Sequence, residues 1–241
     1  DVIIFETERL EKLTQNLLEL NKYGSNGFLL DITVFDLNRC IKMAVQTFEQ
    51  ISREKQIYFN LILTGRELYT EADESKIHQV LQNLIDNAIK FSRPDSSIEI
   101  ETTVKKDKIF VSVKDHGIGI PKDSIGKIWE RFYKTDVSRG KDKKGTGLGL
   151  SIVKEIINAH HENINVISTL DVGTEFIFTL PLVRKKSWQN PKRLLLNRKA
   201  LSYEQIRNIR TADPDQRGGC QSRRSTGAAD SRTLCLSRRL C

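Results

Sequence analysis

The spacing of apolar and polar residues predicts a helix first and then helices mixed with strands. Apolar residues at heptad-like spacing predict a long helix over residues 2–23, followed by a Gly-Ser-Asn-Gly run. Amphipathic patterns with a 3.6-residue period predict three further helices: one that Asp36 opens as N-cap, one over residues 73–91 and one over residues 148–161. A short helix is expected near residues 121–128.

Strands are predicted where apolar and polar residues alternate with a period of two. They cover residues 31–35, 57–63, 68–71, 98–104, 109–113, 165–168 and 175–180. A Lys-Lys-Asp-Lys link between the fourth and fifth of these predicts a hairpin, and residues 134–144 form a polar loop. Together the elements predict an α+β fold, a two-layer α/β sandwich of one sheet and one layer of helices, preceded by the long first helix.

Charge is distributed unevenly along the 241 residues, whose formal net charge is +8. Residues 1–183 carry 24 Lys and Arg against 27 Asp and Glu, whereas residues 184–241 carry 15 against 4. The basic character therefore belongs to the tail, which argues against nucleic-acid binding by the whole chain. Residues 194–209 predict a weak helix, and residues 211–241 are predicted to be disordered, with a composition that a frameshift or read-through would also produce. An RNA-binding or membrane-surface arm is the alternative for this tail.

These patterns divide the chain into a helix at residues 1–24, a domain at residues 30–183 and the basic tail at residues 184–241. No apolar run approaches the roughly 18 residues of a membrane-spanning helix, and the N-terminus lacks the layout of a signal peptide, so we expect a cytoplasmic protein. The only methionine is Met43, which suggests a piece of a longer protein whose parent could be membrane-anchored. The four cysteines show no C-x-x-C spacing and predict neither a zinc site nor a disulfide framework.

A first cluster of candidate functional residues lies on the predicted helix 73–91. Asn83, Asn87 and Lys90 are four and three residues apart, so they share one polar stripe. Amide oxygens and an ammonium group suit Mg²⁺ and a polyphosphate. A solvated helix face is the alternative interpretation.

Two glycine-rich clusters follow. Residues 115–120 read Asp-His-Gly-Ile-Gly-Ile directly after a strand, where Asp115 could accept a hydrogen bond from an exocyclic amine. Residues 145–151 read Gly-Thr-Gly-Leu-Gly-Leu-Ser and open a helix, whose free amides and dipole favour phosphate. No strand precedes this second run and no G-K-[ST] follows it, which disfavours a Rossmann fold and a Walker P-loop. Residues 115–120 alone could also be a simple glycine-rich turn.

In this order, the clusters resemble the Bergerat-type (GHKL) ATP-binding domain of two-component sensor histidine kinases, over about residues 30–182. Residues 8–20 also resemble the second helix of that family's dimerisation and phosphoacceptor hairpin. The matching motifs are an asparagine box at 78–91, a first glycine box at 115–120, a phenylalanine box at 129–133, a second glycine box at 145–150 and a last small motif at 173–174.

The resemblance implies a role for each matching residue. Asn87 would ligate Mg²⁺, and Asn83 and Lys90 would lie against the phosphates, so these three form the implied catalytic set. Asp115 would bind the adenine amino group, and residues 134–144 would form a mobile lid over ATP. The implied ATP-binding residues are Asp115, Gly117, Gly119, Ile120, Phe132, Tyr133, Lys134, Gly145, Thr146, Gly147, Leu148, Gly149, Leu150 and Thr174.

Phosphoryl transfer is favoured over hydrolysis. Hydrolysing relatives place a glutamate where this chain has Asn83, and an amide cannot act as a general base. Helix geometry places Asp86 about 60° from the stripe of Asn83, which makes it a poor substitute. No phosphoacceptor box surrounds any of the four histidines, so we expect the chain to bind Mg·ATP without phosphorylating itself.

The resemblance implies the kinase domain of a sensor histidine kinase. It would transfer the γ-phosphate of Mg·ATP to a histidine on a hairpin helix missing from this chain, for relay to the receiver domain of a response regulator. The parent would be a homodimer, and the oligomeric state of this chain stays open. The alternatives are a superfamily ATPase or Ser/protein kinase, a nucleotide-binding regulatory module without catalysis, and nucleic-acid binding through residues 184–241.

Overall fold

Three helices and seven strands make up the part of the chain that the computed structural model describes, which is Thr7, Thr14, residues 29–135 and residues 146–184. Thr7 and Thr14 are helical, and the rest of the predicted first helix lies outside the described residues. The centre of the loop predicted at 134–144, the weak helix at 194–209 and almost all of the tail at 184–241 also lie outside them, so these predictions stay untested.

The three helices begin close to where they are predicted, and the two with a predicted end also end close to it, because each has a strong apolar face. Helix α1 covers Leu37–Glu54, and its predicted N-cap is confirmed, since the carboxylate of Asp36 accepts a hydrogen bond from the amide of Asn38 at 3.1 Å. Helix α2 covers Glu74–Phe91 and is capped by Asp73. Helix α3 covers Gly149–Ala159 and has no side-chain cap.

The main sheet has five strands, which are β2 (Tyr58–Ile62), β4 (Ser97–Lys105), β5 (Lys108–Asp115), β6 (Ile164–Thr169) and β7 (Gly173–Pro181). Their order in the sheet is β2-β4-β5-β7-β6. Strand β2 is parallel to β4, and the other neighbours are antiparallel, including the predicted hairpin of β4 and β5.

Two details of the predicted architecture were wrong. Strands β1 (Thr33–Asp36) and β3 (Tyr69–Ala72) form a separate two-stranded antiparallel sheet, so the described residues contain two sheets instead of one. The helix predicted at 121–128 is only a 3₁₀ turn at Lys122–Ser124, followed by further turns. The segment has no apolar face long enough to support a regular helix, and Gly126 lies in its middle.

The core lies between the helices and one face of the main sheet, which confirms the two-layer α+β arrangement. Alternate residues of β5 and β7 are buried, and α2 packs on α1, α3 and β5. The C-terminal end of α2 lies beside the chain that follows β5, where Ser92 and Gly117 form an isolated β-bridge. No helix of the described residues is long and apolar enough to cross a lipid bilayer.

Candidate functional site

A cleft opens between α2, the end of β5, the start of β7 and the start of α3. Its empty space, including the part open to solvent, is about 1140 Å³. It is lined by Asn83, Asp86, Asn87, Lys90, Phe91, Asp115, Ile118, Gly119, Ile120, Ile128, Tyr133, Lys134, Thr135, Thr146, Gly147, Gly149, Leu150, Thr174 and Phe176. The three clusters that the sequence separates therefore meet at one site.

Helix α2 supplies a polar wall. Asn83, Asn87 and Lys90 all line the cleft, as their helical spacing predicts. The side-chain amide of Asn83 donates to the carbonyl of Gln79 at 3.1 Å, which orients its oxygen away from that turn. Asp86 also lines the cleft, and its Oδ2 lies 2.7 Å from Nζ of Lys90. Asp86 lies beside the predicted stripe and not on it, so the cleft is wider than a single helical stripe.

Asp115 is the last residue of β5, and its carboxylate is buried at the opposite end of the cleft. Its Oδ1 accepts hydrogen bonds from the amides of Gly117 at 2.9 Å and Thr174 at 3.3 Å. Burial raises the pKa of Asp115 to about 6, although both hydrogen bonds and His116 act in the opposite direction. Near pH 7 the group is therefore an ionised but poorly solvated carboxylate, which favours a hydrogen-bond donor from a ligand.

Two glycines let the chain after β5 pack closely against its neighbours. A Cβ on Gly117 would lie 2.2 Å from the carbonyl oxygen of Phe91, and a Cβ on Gly119 would lie 2.1 Å from that of Thr169. Gly119 also has a φ of +68°. Gly119 lines the cleft. Gly117 does not line it, but its lack of a side chain allows the end of α2 to approach the chain after β5.

The start of α3 forms the third wall. Gly149 and Leu150 of its first turn line the cleft, and this turn has neither an acidic residue nor a side-chain cap to offset the positive end of the helix dipole. A Cβ on Gly149 would lie 3.2 Å from Oδ1 of Asn83, so a side chain here would crowd α2. Leu148 is fully buried in the core and does not line the cleft.

A hydrogen bond joins two residues that flank the predicted lid at 134–144. The amide of Phe132 donates to the carbonyl of Gly147 at 2.9 Å, and both residues have a positive φ. Tyr133 and Lys134 line the cleft, and the hydroxyl of Tyr133 lies 3.0 Å from that of Ser124. The side chain of Phe132 is 57% exposed and does not line the cleft. Gly145 lies outside the described residues.

Several lining residues were not predicted, and two of them had a signal in the sequence. Phe91 follows Asn87 by four residues on α2, and Phe176 follows Thr174 by two on β7, so each shares a face with a predicted residue. The ring of Phe176 packs edge-on against Trp129 with centroids 5.9 Å apart. Ile118, Ile128 and Thr135 gave no such signal.

None of the four histidines, all of which the structure describes, lines the cleft. His116 faces away from it, with Nε2 3.5 Å from Oε1 of Glu99. His160 lies at the end of α3 and contacts the start of α2 instead. The chain's own imidazoles therefore contribute no group to the walls of this site.

The comparison with protein families decides the identity of this fold and cleft. Residues 72–184 match the family described as histidine kinase-, DNA gyrase B- and HSP90-like ATPase. The solved catalytic domain of the histidine kinase ThkA is 35% identical, with a TM-score of 0.56, and the match covers 63% of this chain and 96% of that domain. The chain belongs to this ATPase family. It carries the ATP-binding ATPase domain of sensor histidine kinases, as the resemblance implied.

Two further relatives extend the comparison. The sensor histidine kinase WalK of Bacillus subtilis is 38% identical over 178 residues, which are 73% of this chain and 29% of WalK. The chain thus spans less than a third of that relative. Full-length ShkA, solved in complex with AMPPNP, is 26% identical with a TM-score of 0.65, over 72% of this chain and 36% of ShkA. ThkA has also been solved with a response regulator, TrrA; that match is 31% identical with a TM-score of 0.61, over 73% of this chain and 49% of ThkA.

Proposed function

We propose that this chain binds Mg·ATP in the cleft and transfers the γ-phosphate to a histidine on a hairpin helix of its parent kinase, for relay to the receiver domain of a response regulator. One observation carries the proposal: an amide-bearing helix, a buried carboxylate and a glycine-rich helix start line the same cleft. The catalytic-domain match to histidine kinases supports the reaction class.

The end of the cleft at Asp115 suits adenine. Oδ1 of Asp115 already accepts two backbone amides, so Oδ2 is the oxygen that would accept a hydrogen bond from the exocyclic amine. Ile118, Ile120 and Phe176 offer apolar walls to a flat base. Thr174 would hold the carboxylate in place through its amide. A guanine base would present a carbonyl to Asp115 and would be disfavoured.

The opposite end of the cleft suits a triphosphate. Lys90 and Lys134 bring positive charge to the wall, and the first turn of α3 presents its amides and dipole. The amide of Asn83 adds a neutral donor and acceptor without the repulsion of a carboxylate. Thr146 and Gly147, which line the cleft, would lie along the phosphates.

The residues present fit Mg²⁺ held mainly by phosphate and water. Within the described residues, the side chain of Asn87 has no hydrogen-bond partner, which leaves its Oδ1 for a cation at the cleft surface. No cluster of three or more His, Cys, Asp or Glu in the described part of the chain could form a complete metal site. Mg²⁺ typically takes one or two protein oxygens with substrate phosphates. When bound, it would neutralise charge on the phosphates.

The wall around the phosphates favours transfer to a protein nucleophile. Asn83 cannot remove a proton from water, so this chain would position the γ-phosphate and leave the nucleophile to the parent kinase. The complex of ThkA with TrrA supports a response regulator as the downstream partner. We place this activity in the cytoplasm, within a homodimeric parent protein.

The first test is a calorimetric titration of AMPPNP with Mg²⁺ into the wild-type chain and Asn87→Ala. We expect binding that weakens at least about tenfold in the variant, since a metal ligand is lost. Asn158→Ala is the matched control, because Asn158 is an exposed asparagine on α3 that does not line the cleft. Equal affinity in all three proteins would refute the assignment of Asn87.

The second test measures transfer. The chain is incubated with γ-labelled ATP, with and without the separately produced phosphoacceptor hairpin of Bacillus subtilis WalK. We expect acid-labile label on the hairpin and none on the chain. A stable phosphohistidine on the chain itself would contradict our expectation that it cannot phosphorylate itself, and steady release of phosphate without a hairpin would favour an ATPase.

A further inference from the structure

Asp86 places an anionic group in the wall that would receive the phosphates. Its side chain is 32% exposed, that of Lys90 is 29% exposed, and the two form an ion pair of 2.7 Å inside the cleft. Asn87 is the next residue along α2, and Asn83 lies less than one turn before Asp86. The ion pair therefore stands among the residues assigned above to metal and phosphate.

This arrangement disfavours the binding of a nucleotide that carries no metal ion. A bare triphosphate is strongly anionic, so the carboxylate of Asp86 repels it at short range. The same carboxylate also neutralises Lys90, which is one of the two lysines that line the cleft among the residues that the structure describes. The cleft thus offers a metal-free triphosphate less positive charge than its lysines alone suggest.

A divalent cation reverses both effects. Carboxylate and amide oxygens are the protein groups that Mg²⁺ favours, and Asp86 and Asn87 bring one of each to the cleft surface. With a cation present, the negative charge of Asp86 is attractive, and Lys90 can turn from the carboxylate to a phosphate oxygen.

We propose that Asp86 couples nucleotide binding to the divalent cation, by repelling metal-free nucleotide and by attracting the cation that Asn87 holds. This inference rests on the proposed function, because it takes the cleft to bind Mg·ATP. Asp86 then faces the metal and restrains Lys90. This role differs from that of a general base, which the position of Asp86 on α2 argues against.

The experiment is a thermodynamic cycle. The Kd of AMPPNP is measured by calorimetry with excess Mg²⁺ and with EDTA, for the wild type and Asp86→Asn. We expect Asp86→Asn to bind metal-free AMPPNP about tenfold more tightly than wild type and to lose about tenfold or more of the tightening by Mg²⁺, because one charge at contact distance is removed. Glu49→Gln is the matched control, since Glu49 also pairs with a cation four residues on, Arg53, but lies on exposed α1 away from the cleft; it should leave both affinities unchanged.

A second measurement observes the cation directly. Mn²⁺ is titrated by electron paramagnetic resonance at saturating AMPPNP, and Asp86→Asn should weaken Mn²⁺ binding in the ternary complex about tenfold. Thermal unfolding of Asp86→Asn within a few degrees of wild type shows that the fold is intact, and Asp86→Ser serves as the second variant otherwise.

The outcomes separate this inference from the proposed function. An unchanged Mg²⁺ dependence in Asp86→Asn would overturn the role of Asp86, and so would an equal loss of affinity with and without Mg²⁺. In either case, binding by the wild type and its loss in Asn87→Ala would still support the proposed function. Failure of the wild type to bind AMPPNP with Mg²⁺ would overturn both.

Discussion

Nε2 of His160 accepts a hydrogen bond from the backbone amide of Asp73 at 3.0 Å. On the other side of the ring, Nδ1 donates to the carbonyl of Ile156 at 2.8 Å, so the imidazole is neutral. The carboxylate of Asp73 also accepts the amide of Asp31, which lies on the chain entering the domain. One imidazole therefore joins the end of α3 to the start of α2, and the two helices that carry the walls of the nucleotide cleft are fixed to each other at their far ends.

Replacing His160 should destabilise the domain in a pH-dependent way. Burial lowers the pKa of His160 below its ordinary value of 6.5, although Asp73 and Glu162 act against this shift. The folded state therefore favours the neutral ring, so this contribution to stability is complete above about pH 6.5 and is lost as the pH falls below it. Urea unfolding at pH 7 should show a loss of about 1–3 kcal/mol in His160→Ala.

His160→Gln is the control for this prediction, because its amide can make both hydrogen bonds but does not titrate. The free energy of unfolding of wild type relative to His160→Gln should decrease between pH 7 and pH 5. Parallel pH profiles for the two proteins would show that the ring does not titrate in this range.

Adenine recognition should require the ionised form of Asp115. Its pKa of about 6 means that lowering the pH through this value protonates the carboxyl, which then presents a donor to the donating amine of adenine. We expect the affinity for Mg·AMPPNP to fall below pH 6 by up to about tenfold per unit, beyond the change due to the nucleotide's own phosphates. The pH dependence of binding by Asp115→Asn, which should bind weakly, measures the contribution of the nucleotide's phosphates. If Mg·AMPPNP binding near pH 6 released no proton from the protein, this role of Asp115 would be contradicted.

Gly119 and Gly126 form a matched pair for testing the glycine-rich wall. A Cβ on Gly119 would collide with the carbonyl of Thr169, and its φ is +68°, whereas a Cβ on Gly126 meets nothing within 4 Å. Gly119→Ala should cost about 2 kcal/mol or more of stability and weaken nucleotide binding, and Gly126→Ala should change neither by much. Thermal unfolding and AMPPNP titration of both variants provide the comparison.

Cys40 should be unreactive while the domain is folded. The thiol is buried, and burial together with Glu74 raises its pKa to about 12. Since the thiolate is the reactive form, alkylation of Cys40 by iodoacetamide at pH 8 should be at least about 100-fold slower than in concentrated urea. Mass spectrometry of peptides containing Cys40 locates the label, and rapid labelling without denaturant would indicate local opening around α1.

Much of the domain could be predicted because its helices each bury a single apolar face. The bounds of α2 and α3 follow from this period, and the start of α1 follows from Asp36, whose side chain caps the first turn. Strand pairing was harder, because an alternating pattern identifies a strand without naming its partner. Strands β1 and β3 pair with each other and not with the main sheet, and nothing in their alternation distinguishes the two possibilities.

The residues of the site could also be predicted only in part. Asn83, Asn87 and Lys90 could be predicted from their shared stripe on α2. That Asp86 also lines the cleft was not predicted, because a stripe on a helix describes a line, whereas a cleft is a surface that also receives side chains from the adjoining face. Ile118 and Ile128 are ordinary apolar residues in the sequence, and they line the cleft only because of the path that the folded chain takes.

The hydrogen bond between the amide of Phe132 and the carbonyl of Gly147 joins two residues whose neighbours Tyr133 and Thr146 both line the cleft. A Cβ on Gly147 would lie 2.8 Å from the backbone of Phe132. A side chain at this position would therefore push the two segments apart and widen the nucleotide site at this wall.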